Sequence, residues 1–185
     1  MPIIGVEEKF PEFVVTGVRP EANEPLDAFE DIMSDSFPDM WKIVAFYPKD
    51  FTFICPTEIV GFNNLADDFA DRNAVVMMGN TDNEYCKVAW KGSHPDLNNL
   101  KIWLFADNGR GEQMPLSHQV GAFDYSRGSV RRAVFIVDPA GWVQWSAVYN
   151  DSVGRNPDEV LRVLDALQTG ENCGCNRQIG EDTLM

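Results

Sequence analysis

The run Ile43-Val44-Ala45-Phe46-Tyr47 leads directly into Pro48-Lys49-Asp50-Phe51-Thr52-Phe53-Ile54-Cys55-Pro56-Thr57-Glu58. The first run is apolar and typical of a buried strand, whereas Ile59 and Phe62 begin a helical pattern. Cys55 is therefore predicted to lie where a strand ends and a helix begins. Unpaired backbone N–H groups and the positive end of the helix dipole stabilise a thiolate at such a position. The pattern favours a reactive cysteine, with an inert buried thiol as the alternative.

The rest of the chain alternates strand-like and helical patterns. Apolar, β-branched segments predict strands at residues 12–18, 42–47, 74–79, 102–106, 133–137 and 142–149. Several are continuous rather than alternating, which indicates central strands covered on both faces. Helical patterns follow Pro56, span residues 84–91, and begin again at Pro157, where Asn156 and Glu159 form a capping-box pattern and Gly170 is the stop. The order predicts an α/β fold, a mixed sheet flanked by helices over residues 1–170, and a tail of residues 171–185.

Composition and charge narrow the classes of function. The chain has 185 residues, of which 44% are hydrophobic, and no segment approaches the roughly 20 apolar residues of a membrane helix. The first residues resemble no signal peptide, so we expect a cytoplasmic protein that does not bind membranes. A net charge of −14 argues against nucleic acid as a partner. Any site for an anion must then supply its own local positive charge, which makes individual arginines candidates.

The chain has four cysteines, and their spacing indicates redox chemistry. A disulfide framework is not expected in a cytosolic protein of this size. Zinc needs about four ligands, usually including a Cys-x₂₋₄-Cys pair. Only one residue separates the thiols of Cys173-Gly174-Cys175, and the chain has only two histidines, His94 and His118. A zinc site is therefore not expected. The cysteines are Cys55, Cys86, Cys173 and Cys175. Cys86 lies on a helical pattern and is interpreted as a packing residue.

Three segments form an ordered set of motifs. The first is Pro48…Thr52…Cys55-Pro56-Thr57-Glu58, the second is the strand-like run at residues 132–138 that begins with Arg132, and the third is residues 152–161, which include Gly154-Arg155. Together they resemble the two-cysteine peroxiredoxins of the alkyl hydroperoxide reductase C group. The resemblance runs from about Phe10 to the C-terminus. It implies a thioredoxin-like mixed β-sheet flanked by helices, with the peroxiredoxin elaboration, and no metal, haem or flavin cofactor.

The resemblance also implies roles at Cys55. Its thiolate would attack a peroxide, either hydrogen peroxide or an organic hydroperoxide, and become a sulfenic acid. An ordinary thiol has a pKa of about 8.5, so positive charge from Arg132 would favour the thiolate. Thr52 and Arg132 would hold and polarise the O–O bond, and Pro48 would shield the sulfur from water. Glu58 would orient the arginines. Thr52 as an ordinary loop hydroxyl is the alternative.

The sequence alone allows more than one role for three arginines, Arg131, Arg132 and Arg155. Arg131 and Arg132 are adjacent in a strand pattern, so they are predicted to point to opposite faces of the sheet. One of them should face the functional side, and the resemblance selects Arg132. Arg155 could support the same site or form an ordinary salt bridge with a nearby carboxylate, and both interpretations stay open.

The tail supplies the second half of the implied reaction. In the family, a resolving cysteine of the partner subunit condenses with the sulfenic acid, and Cys173 holds the corresponding place. This implies an intersubunit disulfide, a homodimer and a ring of dimers. The disulfide would be reduced by a thioredoxin-like, AhpD-like or flavoprotein-linked dithiol protein. Cys175 could accept or relay the disulfide, or it could be a bystander.

Two other functions compete with the peroxidase interpretation. A general thiol–disulfide oxidoreductase usually carries Cys-x-x-Cys, whereas residues 51–58 contain one cysteine. An oligomeric holdase chaperone, which needs no reactive thiol, is the non-enzymatic alternative. Loss of Cys55 would abolish peroxidase activity and spare holdase activity, so one substitution distinguishes a peroxidase from a holdase.

Overall fold

The computed structural model describes residues 2–184, in which nine strands are assigned. They are β1 (Val14–Val18), β2 (Phe29–Met33), β3 (Trp41–Phe46), β4 (Ala74–Asn80), β5 (Trp103–Ala106), β6 (Phe123–Asp124), β7 (Ser129–Val130), β8 (Arg132–Val137) and β9 (Val143–Tyr149). Seven of them form one sheet in the order β2-β1-β5-β4-β3-β8-β9, and β6 pairs with β7 separately. In the large sheet, β4 is parallel to β3 and β5, and the other pairings are antiparallel. The predicted mixed sheet is confirmed.

Helices cover this sheet and separate its strands along the chain. They are α1 (Cys55–Asn64), α2 (Ala66–Asp71), α3 (Glu84–Ser93), α4 (Leu116–Gln119) and α5 (Pro157–Thr169), with a short 3₁₀ helix at Pro95–Leu97. The side chain of Asn156 caps α5 by accepting a hydrogen bond from the Asp158 amide, and Gly170 ends α5 in the left-handed conformation. Both were predicted. Within residues 2–184, no helix is both long and apolar enough to cross a bilayer.

The structure differs from the sequence prediction in several places, and the short elements α4, β6 and β7 were not predicted. The helical pattern after Pro56 is divided at Leu65 into α1 and α2, because the Leu65 backbone leaves the helical region (φ −101°, ψ 12°). The strand β2 was not predicted, since only Ile32 among its five residues is fully buried. The capping-box pattern at Glu159 was also wrong in detail, because its carboxylate accepts hydrogen bonds from Arg162.

The alternation of side chains along β3 and β8 decides what faces α1. Ile43, Ala45 and Tyr47 belong to one buried cluster together with Cys55, whereas Val44 and Phe46 belong to the cluster on the opposite face. The same alternation places Val134 and Ile136 of β8 on the Cys55 face. Arg132 lies two residues before Val134, so it shares that face.

Candidate active site

Cys55 is the first residue of α1 and is fully buried. No side chain caps the start of this helix, since the preceding residue is Ile54. The Thr57 hydroxyl donates to the Ile54 carbonyl, 2.7 Å away. The positive end of the α1 dipole therefore acts directly at the sulfur.

Arg132 brings a cation to this sulfur. Its Nη1 lies 3.5 Å from the Sγ of Cys55, and its Nε donates to the Asp151 carbonyl at 2.9 Å. The side chain is almost completely buried, so little water screens its charge. The neighbouring Arg131 is exposed and pairs with Asp124. The two arginines thus lie in different environments, and Arg132 is the one on the Cys55 side.

Glu58 joins Arg132 to Arg155. One carboxylate oxygen of Glu58 pairs with Nη1 of Arg132, and the other accepts from Nε and the backbone N–H of Arg155, at 2.7 and 2.9 Å. Arg155 also donates to the Ala133 carbonyl on β8, 2.9 Å away. Arg155 therefore forms a buried salt bridge with the same carboxylate that pairs with Arg132. Two buried guanidiniums share one carboxylate, which leaves the site with excess positive charge.

The charge balance of this cluster appears in the pKa of Glu58. Burial alone would raise that pKa, but the charge and hydrogen bonds of Arg155, followed by the charge of Arg132, lower it below its ordinary value of 4.5. Glu58 is consequently an anion at neutral pH, and it keeps both guanidiniums in fixed orientations.

The loop between β3 and α1, residues 47–54, is called the Cys55 loop. It carries Pro48 and Thr52, which are both half-buried. The Thr52 hydroxyl donates to the Lys49 carbonyl at 3.0 Å. Its oxygen lone pairs remain available, while its proton is used within the loop. Phe51 adopts a positive φ of 54°, and Phe53 is 96% exposed beside the site.

Cys173 and Cys175 lie in the tail, away from these contacts. The Cys173 sulfur is near the Thr169 hydroxyl and the Ala166 carbonyl, at 3.6 and 3.7 Å, and both belong to α5. Cys175 is exposed, and all four cysteines are free thiols. Among residues 2–184, the hydrogen-bond partners of Cys173 include none from the Cys55 loop.

One group beneath the site was missed by the sequence analysis. Lys87 of α3, Asp50, Asn80 and Tyr47 form a buried polar cluster at the base of the Cys55 loop. Asp50 lies inside the quoted motif, but nothing local connects it with a lysine 37 residues later. The sequence signal was weak: a lysine on the same α3 face as the buried Val88 and Trp90.

The arrangement suits nucleophilic attack by Cys55 on a substrate whose leaving group departs as an anion. A thiolate at Cys55 would lie against one guanidinium and the start of a helix, and the same donors could stabilise negative charge on a departing oxygen. The contacts that fix Arg132 at Asp151 and Glu58 remove most of its freedom before any substrate arrives. Preorganised donors of this kind lose little free energy to reorganisation during a reaction.

Comparisons with known proteins agree with this geometry. The AhpC/TSA family model matches residues 6–146. Alkyl hydroperoxide reductase C of Mycobacterium tuberculosis is 40% identical over 190 aligned residues, covering 100% of this chain and 95% of the relative. The peroxiredoxin tpx1 of Schizosaccharomyces pombe is 38% identical, covering 85% of this chain and 83% of the relative.

Solved structures give the same result for the fold. Mycobacterium tuberculosis AhpC superposes with a TM-score of 0.83 at 40% identity, covering 94% of this chain and 98% of that one. The reduced 2-Cys peroxiredoxin of Plasmodium vivax has a TM-score of 0.85 at 29% identity, covering 96% and 91%. The thioredoxin-like fold of the peroxiredoxins, expected from the motifs, is confirmed. The chain belongs to the AhpC/TSA family.

Proposed function

We propose that this protein is a thiol-dependent peroxidase that reduces hydrogen peroxide and organic hydroperoxides. The contact that carries the proposal is the 3.5 Å approach of Arg132 Nη1 to Cys55 Sγ at the start of α1. The Cys55 thiolate attacks the terminal oxygen of the peroxide, an S–O bond forms, and the O–O bond breaks. Cys55 becomes a sulfenic acid, and the other oxygen leaves as alkoxide or hydroxide and takes a proton from water.

The residues around Cys55 divide the work of this step. Arg132 favours the thiolate and stabilises the departing oxygen, and Glu58 and Arg155 hold Arg132 in place. The Thr52 oxygen accepts a hydrogen bond from the incoming peroxide, and Pro48 excludes water. The names of the relatives, alkyl hydroperoxide reductase and thioredoxin peroxidase, support the substrate class.

The oxidised Cys55 is resolved by Cys173 of a second subunit. The Cys173 thiol attacks the sulfenic sulfur, the S–S bond forms and water leaves. Two observations support a partner as its source: Cys173 is held by α5 of its own chain, and β9 is an edge strand of the large sheet, bonded at its first residue, Val143, to Glu7 and Glu8. A homodimer, and a ring of such dimers, would then be the working assembly. The tail of residues 171–185 must leave α5 to deliver its thiol.

The remaining steps involve a reductant. A thioredoxin-like, AhpD-like or flavoprotein-linked dithiol protein reduces the Cys55–Cys173 disulfide and returns both thiols. This cycle belongs in a reducing compartment, so we propose a cytoplasmic location. Cys175, two residues from Cys173 and exposed, is positioned to exchange with the disulfide as an auxiliary thiol.

The substitution Cys55→Ser tests the proposed activity. We expect peroxide turnover to fall by at least about a thousandfold, because serine does not ionise at neutral pH and removes the nucleophile. Turnover is measured with hydrogen peroxide and cumene hydroperoxide, and suppression of aggregation of a heated client protein is measured alongside. Cys86→Ser is the matched control and should keep full turnover. Undiminished turnover in Cys55→Ser would refute Cys55 as the nucleophile, and absence of turnover in the unmodified protein would refute the peroxidase. Lost turnover with unchanged holdase activity in Cys55→Ser would separate the two functions.

The roles of the tail cysteines are tested by Cys173→Ser and Cys175→Ser. The first should abolish turnover with a dithiol reductant, yet still allow one equivalent of peroxide to react, since Cys55 remains. The second should lower turnover by no more than about threefold, because Cys175 only relays the disulfide. Equal losses in both variants would remove the distinction between the two cysteines.

A further inference from the structure

A fully buried lysine lies beneath the Cys55 loop. Lys87 Nζ donates to the Asn80 side-chain oxygen and lies 3.3 Å from both carboxylate oxygens of Asp50. It also lies 5.5 Å from the centre of the Tyr47 ring, whose hydroxyl donates to Asp50 at 2.8 Å. Every polar group of this cluster has a partner, so it is a built network rather than a trapped charge.

The network holds the loop that carries the reactive groups. The Asp50 backbone N–H donates to the Asp82 carboxylate at 2.8 Å, and the Asp50 side chain is tied to Asn80 at 2.9 Å. Asp50 lies between Pro48 and Thr52, so its backbone position sets where both of them lie. The loop is thus fastened from below by α3 and by the end of β4.

The network also reaches Cys55 through Tyr47. Tyr47 and Cys55 belong to the same buried cluster on the α1 side of the sheet. Burial, and next the Asp50 carboxylate, raise the pKa of Tyr47 well above its ordinary value, with a smaller contribution from Cys55. Tyr47 therefore stays a neutral donor to Asp50. The Asp50 charge is compensated from below by Lys87 rather than from the Cys55 side.

We propose that Lys87 is a positioning residue for the Cys55 reaction, a buried cation that neutralises Asp50 and fixes the loop carrying Pro48 and Thr52. This deepens the proposed peroxidase function and rests on Cys55 being its nucleophile. Without the ammonium, the Asp50 carboxylate would add an uncompensated negative charge below the sulfur. Burial lowers the pKa of Lys87 and the Asp50 charge opposes this shift, as expected of a buried ion pair.

Several elements contribute charges around Cys55, and all of them enter the expected pH dependence. They are Arg132 on β8, Glu58 on α1, Arg155 before α5, Asp50 and Asp82 in the loops, and Lys87 on α3. Substitutions at Asp50 or Lys87 change the charge balance only among Asp50, Asp82 and Lys87. The ion pairs of Arg132 and Arg155 with Glu58 stay intact, so their effect on Cys55 is the same in every variant.

The test measures alkylation of Cys55 by iodoacetamide from pH 5 to 10, followed by peptide mass spectrometry. Lys87→Met should move the pH midpoint of Cys55 alkylation upward by about half a unit, because a negative charge near the sulfur disfavours the thiolate. Asp50→Asn should move it downward by a similar amount, since the ammonium is then uncompensated. The double variant Asp50→Asn/Lys87→Met should return close to the wild-type midpoint.

The matched control is Lys91→Met. Lys91 is equally buried on the same helix, but its ammonium donates to the Arg19 carbonyl rather than to a group of the Cys55 loop. It should leave the midpoint unchanged, while both lysine variants change stability. A second readout is the peroxide rate constant at pH 7, which should fall about tenfold in Lys87→Met and less than twofold in Lys91→Met.

The outcomes decide the proposal without ambiguity. Opposite shifts in Lys87→Met and Asp50→Asn support it, because a merely structural role would move both in the same direction or neither. An unchanged midpoint in folded Lys87→Met overturns it. If Lys87→Met does not fold, Asp50→Asn alone decides: a lowered midpoint supports the proposal, and a raised or unchanged one overturns it. Alkylation needs no peroxide, so failure of the peroxidase proposal would be seen separately.

Discussion

At the scale of single residues, Glu58 controls the electrostatics of the site. Its carboxylate is buried and pairs with Arg132 and Arg155 at once. Removing one partner from a buried ion cluster leaves uncompensated charge, which costs about 3–5 kcal/mol. The two guanidiniums would then repel each other within the core. Glu58 is thus as much a stability residue as a site residue.

The pH dependence of stability tests this charge. The pKa of Glu58 is lower in the folded protein than its ordinary value of 4.5, so its contribution is complete above pH 4.5 and is lost as the pH falls through the folded value. We expect Glu58→Gln to lower the free energy of unfolding at pH 7 by about 3 kcal/mol. The loss should shrink as urea denaturation is repeated at lower pH. Glu159→Gln, which breaks a more exposed pair with Arg162, should cost less than about 1 kcal/mol at pH 7. Equal losses for Glu58→Gln at pH 7 and pH 3.5 would contradict the charge argument.

Residues differ in how well their partners could be predicted. The proximity of Arg132 to Cys55 was expected from the motifs, although 77 residues separate them. The pairing of Lys87 with Asp50 was not, because a buried ion pair depends on where α3 packs, and no local pattern encodes that. The hydrogen bond from Arg155 to the Ala133 carbonyl could not be predicted either, because it also depends on tertiary packing.

At the scale of elements, α5 links the body of the protein to the tail. Arg177 of the tail is almost fully buried and pairs with Asp165 of α5 at 3.0 Å. Arg162 of α5 donates to the Arg177 carbonyl at 3.0 Å. The position of Cys173 therefore depends on where α5 ends, and that end is set by Gly170, whose φ is 66°.

The end of α5 gives a prediction about stability. A Cβ at Gly170 would meet no atom within 4 Å, so Gly170→Ala changes only the backbone preference. We expect a loss of about 1 kcal/mol in the free energy of unfolding, because left-handed backbone disfavours alanine. Gly170→Asn is the matched variant and should lose less, since asparagine tolerates this conformation. Thermal or urea unfolding measures both. A larger loss for asparagine than for alanine would show that space, and not conformation, limits the position.

Element predictions succeeded where burial gives a clear pattern. The central strands β3, β4 and β8 are almost entirely buried, and their continuous apolar runs revealed them. The edge strand β2 reads Phe-Glu-Asp-Ile-Met and buries only Ile32, so hydrophobicity gave no signal for it. The strands β6 and β7 have two residues each, which is too short for any periodicity.

At the scale of the whole molecule, a strongly acidic chain builds a positive site. The net charge is −14, yet the start of α1 and buried Arg132 meet at the Cys55 sulfur, and Arg155 joins Arg132 through Glu58. Burial protects this local field from the acidic surface, because solvent screens the exposed carboxylates more strongly than the buried cluster. The second thiol of the proposed cycle, Cys173, lies elsewhere, on the tail beside α5. In the proposed cycle, Cys55 and Cys173 would come from two chains.

The most direct test treats the protein with one equivalent of hydrogen peroxide in the absence of reductant. The thiols that remain are then blocked, and the peptides are mapped. Non-reducing electrophoresis shows whether chains are joined, and mass spectrometry identifies the linked cysteines. We predict a disulfide-linked dimer whose cross-linked peptides contain Cys55 and Cys173, and we predict that this dimer is absent from Cys55→Ser. Consumption of the peroxide with Cys55 left as an unmodified thiol would contradict it.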